Sequence, residues 1–175
     1  MAGTDIVAAL RAARLSGDGR AIAGLLDRVH GEVPDALGRE VLECLASDDH
    51  RVRNPAAVAL TEMRVPGAEA ALRAALVRPG VAPQSGTLVW SIHEMGGRVS
   101  PAEAVHVVEH GSYEARLMLS ELVADGMLDL SDRAALPAVL ARLDELDEDC
   151  GEVGVAASEV LASLQRAGVA ELRPW

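Results

Sequence analysis

Apolar residues recur every three or four positions along most of the chain, which is the spacing that places them on one face of an α-helix. The clearest example is the run from Asp49 to Met63, which is followed by the turn residues Val65-Pro66-Gly67. A second apolar run then extends from Ala68 to Val77. This pattern predicts a helix, a tight turn marked by proline and glycine, and a second helix.

The same pattern recurs three more times downstream, which indicates an internal repeat. We call the residue from which the matching positions are counted the anchor position. The anchor positions are Arg53, Ser85, Arg116 and Gly154. A large aliphatic residue follows each anchor by seven positions, and these residues are Leu60, Ile92, Val123 and Leu161. We expect the four aliphatic residues to occupy equivalent core positions on successive helices.

Around the first anchor the chain resembles the HEAT repeat in its bacterial, lyase-like form, whose first helix follows the signature D-x-x-V-R-x-x-A-A-x-A-L. The matching residues are Asp49, Val52, Arg53, Ala56, Ala57, Ala59 and Leu60. The resemblance implies an all-α fold, an α-α superhelix of about ten helices in five antiparallel pairs. We expect a single domain over residues 1–175, with weakly matching pairs over 4–46, the clearest repeats over 49–167 and a short tail over 168–175.

The composition supports the all-α class. Alanine is abundant and phenylalanine is absent, and alanine and leucine form helices well, whereas strands favour β-branched and aromatic residues. Ser100 and Glu103 have the spacing of a capping box at the start of a helix. Pro55 and Pro137 fall inside predicted helices, the second of which covers 132–146, and each proline should bend its helix.

Charge is distributed unevenly along the chain. Residues 1–80 contain 10 arginines and 11 acidic residues, whereas residues 81–175 contain 6 arginines and 16 acidic residues. The net charge of −11 argues against a protein that binds a nucleic-acid backbone through a basic surface. A basic protein or peptide would meet the C-terminal half first.

The expected location is the cytoplasm. No apolar run is long enough to span a membrane, and we expect no secretory signal. Cys44 and Cys150 lie far apart and form neither a disulfide framework nor a metal-binding pair in the sequence.

Histidines provide two candidate sites. One HEAT-repeat enzyme family, deoxyhypusine hydroxylase, binds a di-iron centre through repeated His-Glu pairs. His93-Glu94 is a single pair near a helix end, so we interpret it as a polar helix terminus. Glu103, His106 and His110 have the spacing i, i+3, i+7, which places them on one helix face and makes them weak candidates for a metal site. The alternative is that they form the exposed polar face of that helix.

Other catalytic patterns are missing from the sequence. The acidic run 144–149 lacks the glycine and the alternate oxygen ligands of a calcium loop, which favours a solvated linker. No serine lies in a G-x-S-x-G elbow, and no glycine-rich phosphate loop precedes a helix. We therefore assign no catalytic residue, no cofactor and no metal.

These observations lead to two hypotheses about function, one a binding protein and the other an enzyme. The favoured one is a non-enzymatic scaffold or adaptor that binds a protein or peptide of basic character on the concave face of the superhelix; an inhibitor or immunity protein directed against a basic toxin is a narrower version. The alternative is a HEAT-repeat enzyme or enzyme accessory, lyase-like or metal-dependent. The residues expected on the concave face are Arg39, Glu43, Glu69, Arg73, Glu103, His106, His110, Arg142 and Glu145. Neither nucleic acid nor a membrane is expected as a partner.

Overall fold

The computed structural model describes residues 3–31, 33–149 and 151–168 of the chain. Over these residues the fold is all-α, as predicted, with ten α-helices and no strand. The helices are α1 (Gly3–Ser16), α2 (Gly19–Leu26), α3 (Asp35–Leu45), α4 (His50–Met63), α5 (Ala68–Leu76), α6 (Gly86–Glu94), α7 (Pro101–His110), α8 (Tyr113–Ala124), α9 (Leu136–Asp147) and α10 (Glu152–Arg166). A 3-10 turn over Ala82–Gln84 precedes α6. One isolated parallel β-bridge joins Val99 to Leu128. Cys150 and residues 169–175 of the predicted tail lie outside the described residues.

Side-chain caps fix several helix starts. Asp18 accepts a hydrogen bond from the backbone N–H of Ala21 at 2.9 Å and so caps α2. The predicted capping box at α7 is confirmed, because Ser100 accepts from the Glu103 backbone N–H while Glu103 accepts from that of Ser100. Ser112 caps α8, and its hydroxyl oxygen accepts one hydrogen bond from a backbone N–H of the first turn. Each cap satisfies backbone donors that the first helical turn leaves without an intrahelical partner.

The two prolines predicted inside helices occupy different positions in the structure. Pro55 lies inside α4, as predicted. The predicted start of α9 at residue 132 is wrong: the carboxylate of Asp132 accepts from the Ala135 backbone N–H and closes a turn, and the helix begins only at Leu136. Pro137 is therefore in the first turn of α9. No intrahelical hydrogen bond is lost there, so the bend expected at Pro137 has no physical cause.

The chain divides into two compact units, residues 1–75 (unit 1) and residues 76–175 (unit 2). In unit 1, α1 and α4 each pack against α2 and α3. In unit 2, α7 and α10 each pack against α8 and α9, and α6 packs against α8. Each unit thus contains four consecutive helices in which the first and the fourth pack against the second and the third, and in unit 2 α7 also packs against α10. The single domain and the five-pair superhelix stay predictions.

The aliphatic residues that follow the anchors lie in the core, as predicted. Leu60 and Ile92 are fully buried, and Val123 and Leu161 are 2% and 5% exposed. Burying aliphatic side chains of this size stabilises the folded state by roughly 1.5–3 kcal/mol each. The repeat in the sequence therefore corresponds to a repeated core position within the units.

The two arginines at anchor positions have a structural role that the sequence did not indicate. Arg53 is fully buried, and its guanidinium donates to the backbone carbonyl of Asp48 at 3.0 Å, just beyond the end of α3. Arg116 donates from Nε to the carbonyl of Val108 at 2.8 Å, in the last turn of α7. The last carbonyls of a helix have no intrahelical donor. Each arginine therefore satisfies carbonyls at or beyond the end of the preceding helix.

The other two anchors, Ser85 and Gly154, also lie against a backbone carbonyl of the preceding segment, but they are smaller residues. The hydroxyl of Ser85 donates to the carbonyl of Ala82 at 2.7 Å in the turn before α6. Gly154 lies against the carbonyl of Asp149, and a Cβ at this position would overlap that oxygen. The anchor is thus the point at which a helix touches the segment that leads into it.

Candidate functional site

The predicted surface residues fall on four helices. Arg39 and Glu43 lie on α3, Glu69 and Arg73 on α5, Glu103, His106 and His110 on α7, and Arg142 and Glu145 on α9. In unit 2 the structure brings four of the members on α7 and α9 into one network, all except Glu103. In unit 1 it places Arg39 and Glu43 beside basic residues of α1, in a cleft of about 520 Å³.

The unit 1 cleft is organised by Glu40, a residue that the sequence analysis did not single out. Its carboxylate is almost fully buried between α1 and α3 and accepts hydrogen bonds from Arg11 at 3.0 Å and from Arg14 at 2.9 Å. The hydrogen bond with Glu40 raises the pKa of Arg14 above its ordinary value. A buried carboxylate is costly unless charged donors satisfy it, so this cluster holds α1 to α3.

Cys44 is also buried near this cluster. Burial raises the pKa of its thiol to about 12, so the thiol stays protonated at neutral pH. Because the thiolate is the reactive form of cysteine, Cys44 acts as a core residue rather than a nucleophile.

A row of polar side chains crosses from α7 to α9 in unit 2, and we call it the polar row. The rings of His106 and His110 are 5.0 Å apart between centroids, and His110 Nε2 lies 3.6 Å from Glu109. Arg142 then binds Glu109 at 2.5 Å and Glu145 at 2.6 Å. Glu109, the centre of the row, was not among the predicted surface residues.

The polar row is not arranged as a metal site in the part of the chain that the structure describes, where no three His, Cys, Asp or Glu side chains could hold one ion. Glu103, the third weak candidate ligand, uses its carboxylate to accept from the Ser100 backbone N–H at 2.6 Å. Burial, followed by the nearby charge of His110, lowers the pKa of His106 below its ordinary value. His106 is thus partly buried rather than on a fully exposed polar face.

The other sequence candidates have structural partners. His93 Nε2 lies 2.8 Å from the carboxylate of Asp125, at the end of α8, rather than acting together with Glu94. In the acidic run, Asp147 accepts a hydrogen bond from Ser158, and Asp149 accepts one from the backbone N–H of residue 151. These contacts tie helix ends and the α9–α10 connection together.

A different surface combines exposed apolar side chains with a concave shape. We call it the α8–α10 groove, of about 410 Å³. Its lining residues are Tyr113, Arg116, Leu117, Ser120, Gly151, Glu152, Val155, Ala156 and Glu159. Tyr113, Leu117 and Val155 are 59%, 45% and 61% exposed. Of the five large apolar side chains that are exposed among the described residues, three therefore lie in this one groove.

The groove has two walls of the same construction. On α8 its residues lie at positions 113, 116, 117 and 120, and on α10 at 152, 155, 156 and 159. Both sets have the spacing i, i+3, i+4, i+7, so each helix directs one continuous stripe into the groove. Ser120 donates a hydrogen bond to Glu159, and Arg116 lies 3.6 Å from Glu152, which links the walls at two points.

The chain matches no protein-family model, no curated protein and no solved structure with which it was compared. The groove therefore has to be interpreted from its own geometry. Among the described residues, no helix has both the length and the apolar composition needed to cross a bilayer.

Larger grooves exist in unit 1, but none of their lining residues is among the large apolar side chains that are exposed in the described part of the chain. One of them, of about 900 Å³, runs between α1 and α2 and is lined by alanine, glycine and polar residues, with Leu25 as its one large apolar side chain. Large exposed apolar side chains, rather than volume alone, mark protein-binding surfaces. The α8–α10 groove is for this reason the candidate functional site.

The repeat pattern did not indicate this groove, because it identified only the core positions of α8 and α10, Val123 and Leu161. The available signal was a second apolar stripe on α8. Leu119 and Leu122 are buried, whereas Tyr113 and Leu117 lie on another side of the same helix. A helix with apolar residues outside its core-facing stripe has a second surface to cover.

Proposed function

We propose that this protein is a non-enzymatic binding module whose acidic unit 2 engages a basic protein partner. The observation that carries the proposal is the cluster of exposed apolar side chains in the α8–α10 groove. An apolar patch with a polar rim is typical of a protein–protein contact site.

The negative charge of unit 2 indicates which class of partner it would bind. Residues 76–175 contain 7 arginines and 16 acidic residues, a balance of −9, whereas residues 1–75 contain 9 arginines and 11 acidic residues. Exposed carboxylates on the groove helices are those of Glu114, Glu121, Glu152 and Glu159. A surface of one charge sign accelerates the approach of a partner of the opposite sign and repels like-charged proteins.

A HEAT-like scaffold is the architecture that we include in this proposal. It is supported by the repeated anchor contacts and by the similar order of helix contacts in the two units. A role as an inhibitor of a basic protein is consistent with the acidic charge. A cytoplasmic location also belongs to the proposal, supported by the absence of a disulfide-framework pattern in the sequence.

The test is the salt dependence of association with a partner captured from the native host and then purified. Association with the full chain should slow as salt rises, because screening weakens long-range attraction. The variant Glu114→Gln/Glu121→Gln/Glu148→Gln removes three exposed charges from unit 2 and should slow association several-fold.

A matched control removes the same charge from unit 1. The variant Asp27→Asn/Asp35→Asn/Glu62→Gln changes three exposed residues outside the predicted binding surface and should leave the association rate close to that of the unmodified protein. The proposal fails if the partner is acidic at its contact surface, if association is independent of salt, or if both triple variants slow association equally.

A further inference from the structure

We infer that the α8–α10 groove binds a single basic, amphipathic helix supplied by the partner protein. This inference rests on the proposed function and specifies the site and the kind of segment that binds there.

The walls of the groove favour a helix as the bound segment. Each wall is a stripe with the spacing i, i+3, i+4, i+7, and the two stripes border one channel between packed helices. A third helix that lies in such a channel places its own i, i+3, i+4, i+7 residues between the side chains of both walls. Its apolar residues would contact Tyr113 and Leu117 on one side and Val155 on the other.

The walls of the groove are held in place by contacts within the protein. Ser120 and Glu159 are hydrogen-bonded across it, and Arg116 is held by both the carbonyl of Val108 and Glu152. A ligand therefore meets a surface that needs little reordering, which reduces the entropic cost of binding.

The rim of the groove favours basic residues on that helix. Glu152 and Glu159 belong to the groove, and Glu114 is exposed on the same helix as Tyr113. The groove's one cation, Arg116, lies beside Glu152, and the second carboxylate, Glu159, accepts from the neutral Ser120, so the groove keeps a net negative charge. A second copy of this chain would bring another unit with a balance of −9, so charge repulsion disfavours self-association through this face.

The experiment is the selection of a displayed library of random 16-residue peptides on the full-length protein. Peptides that bind should carry net positive charge and apolar residues at i, i+3 or i+4, and i+7. The double variant Leu117→Ser/Val155→Ser should weaken their binding by ~10-fold or more, because it removes apolar contacts at the centre of the interface. Both residues are exposed, so the variant should fold, which circular dichroism and the melting temperature will check.

A matched control changes two exposed apolar residues outside the groove. Leu15→Ser/Val77→Ser alters side chains that are 76% and 44% exposed and should leave peptide binding within about twofold of the unmodified protein. A second variant, Glu152→Gln/Glu159→Gln, should reduce the preference for basic over neutral peptides with the same apolar pattern.

Several results would overturn the inference. These are selected peptides that are acidic or lack a helical period, equal binding by the Leu117→Ser/Val155→Ser variant, or a library that yields no groove-dependent binder. A dimer in analytical ultracentrifugation that this variant dissociates would assign the groove to a second copy instead.

The inference and the proposed function fail separately. If the purified partner binds the Leu117→Ser/Val155→Ser variant with an unchanged, salt-dependent rate, the groove assignment is wrong while the proposed function stands. If binding requires the groove but is independent of salt, the prediction of a basic partner is wrong in both the inference and the proposed function.

Discussion

Units 1 and 2 share four helix–helix contacts between corresponding helices but place their charged and apolar side chains in opposite ways. Unit 1 buries charge: Arg53 is fully buried, and Glu40 is 3% exposed between two arginines. In unit 2 the corresponding link between helices, from Glu109 to Arg142, lies at the surface, where the Arg142 side chain is 48% exposed. Unit 2 instead exposes the apolar residues of its groove. Buried charge in unit 1 thus holds helices together, whereas unit 2 also presents exposed carboxylates, such as those of Glu114 and Glu121, on its surface.

The contrast extends to the helix pairs that occupy corresponding places, α2–α4 in unit 1 and α8–α10 in unit 2. Gly19, the first residue of α2, lies against the backbone carbonyl of Arg51 in α4, and a Cβ on Gly19 would overlap that oxygen. The first residue of α8 is Tyr113, whose large side chain is 59% exposed and lines the groove. Among the described residues, α2 and α4 expose no large apolar side chain. The corresponding helix pairs thus differ: α2 begins in close contact with α4 in unit 1, whereas α8 and α10 border an open groove in unit 2.

The largest effect is expected from the core that both units share. Leu60→Ala in unit 1 and Leu161→Ala in unit 2 should each lower the free energy of unfolding by roughly 2–5 kcal/mol, because each leaves a cavity as well as losing apolar burial. Leu117→Ala, on the groove wall, should change it by less than about 0.5 kcal/mol. Urea denaturation measures all three. Equal losses for Leu117 and Leu161 would show that the groove wall is part of the core.

A smaller effect should separate the two charged links. Glu40→Gln removes the charge that Arg11 and Arg14 share in a buried position and should cost roughly 1–3 kcal/mol. Glu109→Gln breaks a link whose arginine is half exposed, and should cost about 0–1 kcal/mol. The same denaturation experiment compares them. If the cost of Glu109→Gln is as large as that of Glu40→Gln, charge has the same structural role in both units.

The parts of the fold that the sequence predicted correctly depend on contiguous residues. Helical periodicity gave the all-α class, and the spacing of Ser100 and Glu103 gave the start of α7. The four residues that follow the anchors were correctly placed in the core, because a helical repeat brings equivalent positions to equivalent surroundings.

The groove and the buried carboxylate could not be predicted in the same way. Leu117 and Leu119 belong to different apolar stripes of α8, and only the packing of neighbouring helices decides that Leu119 is covered and Leu117 is not. Glu40 resembles any other acidic residue of a helix until α1 brings Arg11 and Arg14 to it. These contacts join residues 26 and 29 positions apart, beyond the reach of a local pattern.

The smallest predicted effect is a pH dependence in the polar row of unit 2. Burial, and secondarily His110, lowers the pKa of His106 below its ordinary value of 6.5. The unfolded chain therefore binds more protons than the folded protein between that lowered pKa and about 6.5. The stabilisation from neutral His106 is fully present above pH 6.5 and is lost as the pH falls through the folded-state pKa, with no further loss below it.

Urea denaturation at pH 7.5, 6.5 and 5.5 will show whether this occurs. His106→Asn should flatten the dependence over this range, since it removes the group whose proton uptake differs between the two states. His110→Asn is the control and should retain most of the dependence, because burial is the larger cause of the shift at His106. Asp49, whose pKa the hydrogen bonds from Arg51 lower to about 2, titrates far below the range. A dependence that survives His106→Asn unchanged would mean that another group of the protein causes it and that the partial burial of His106 does not affect stability.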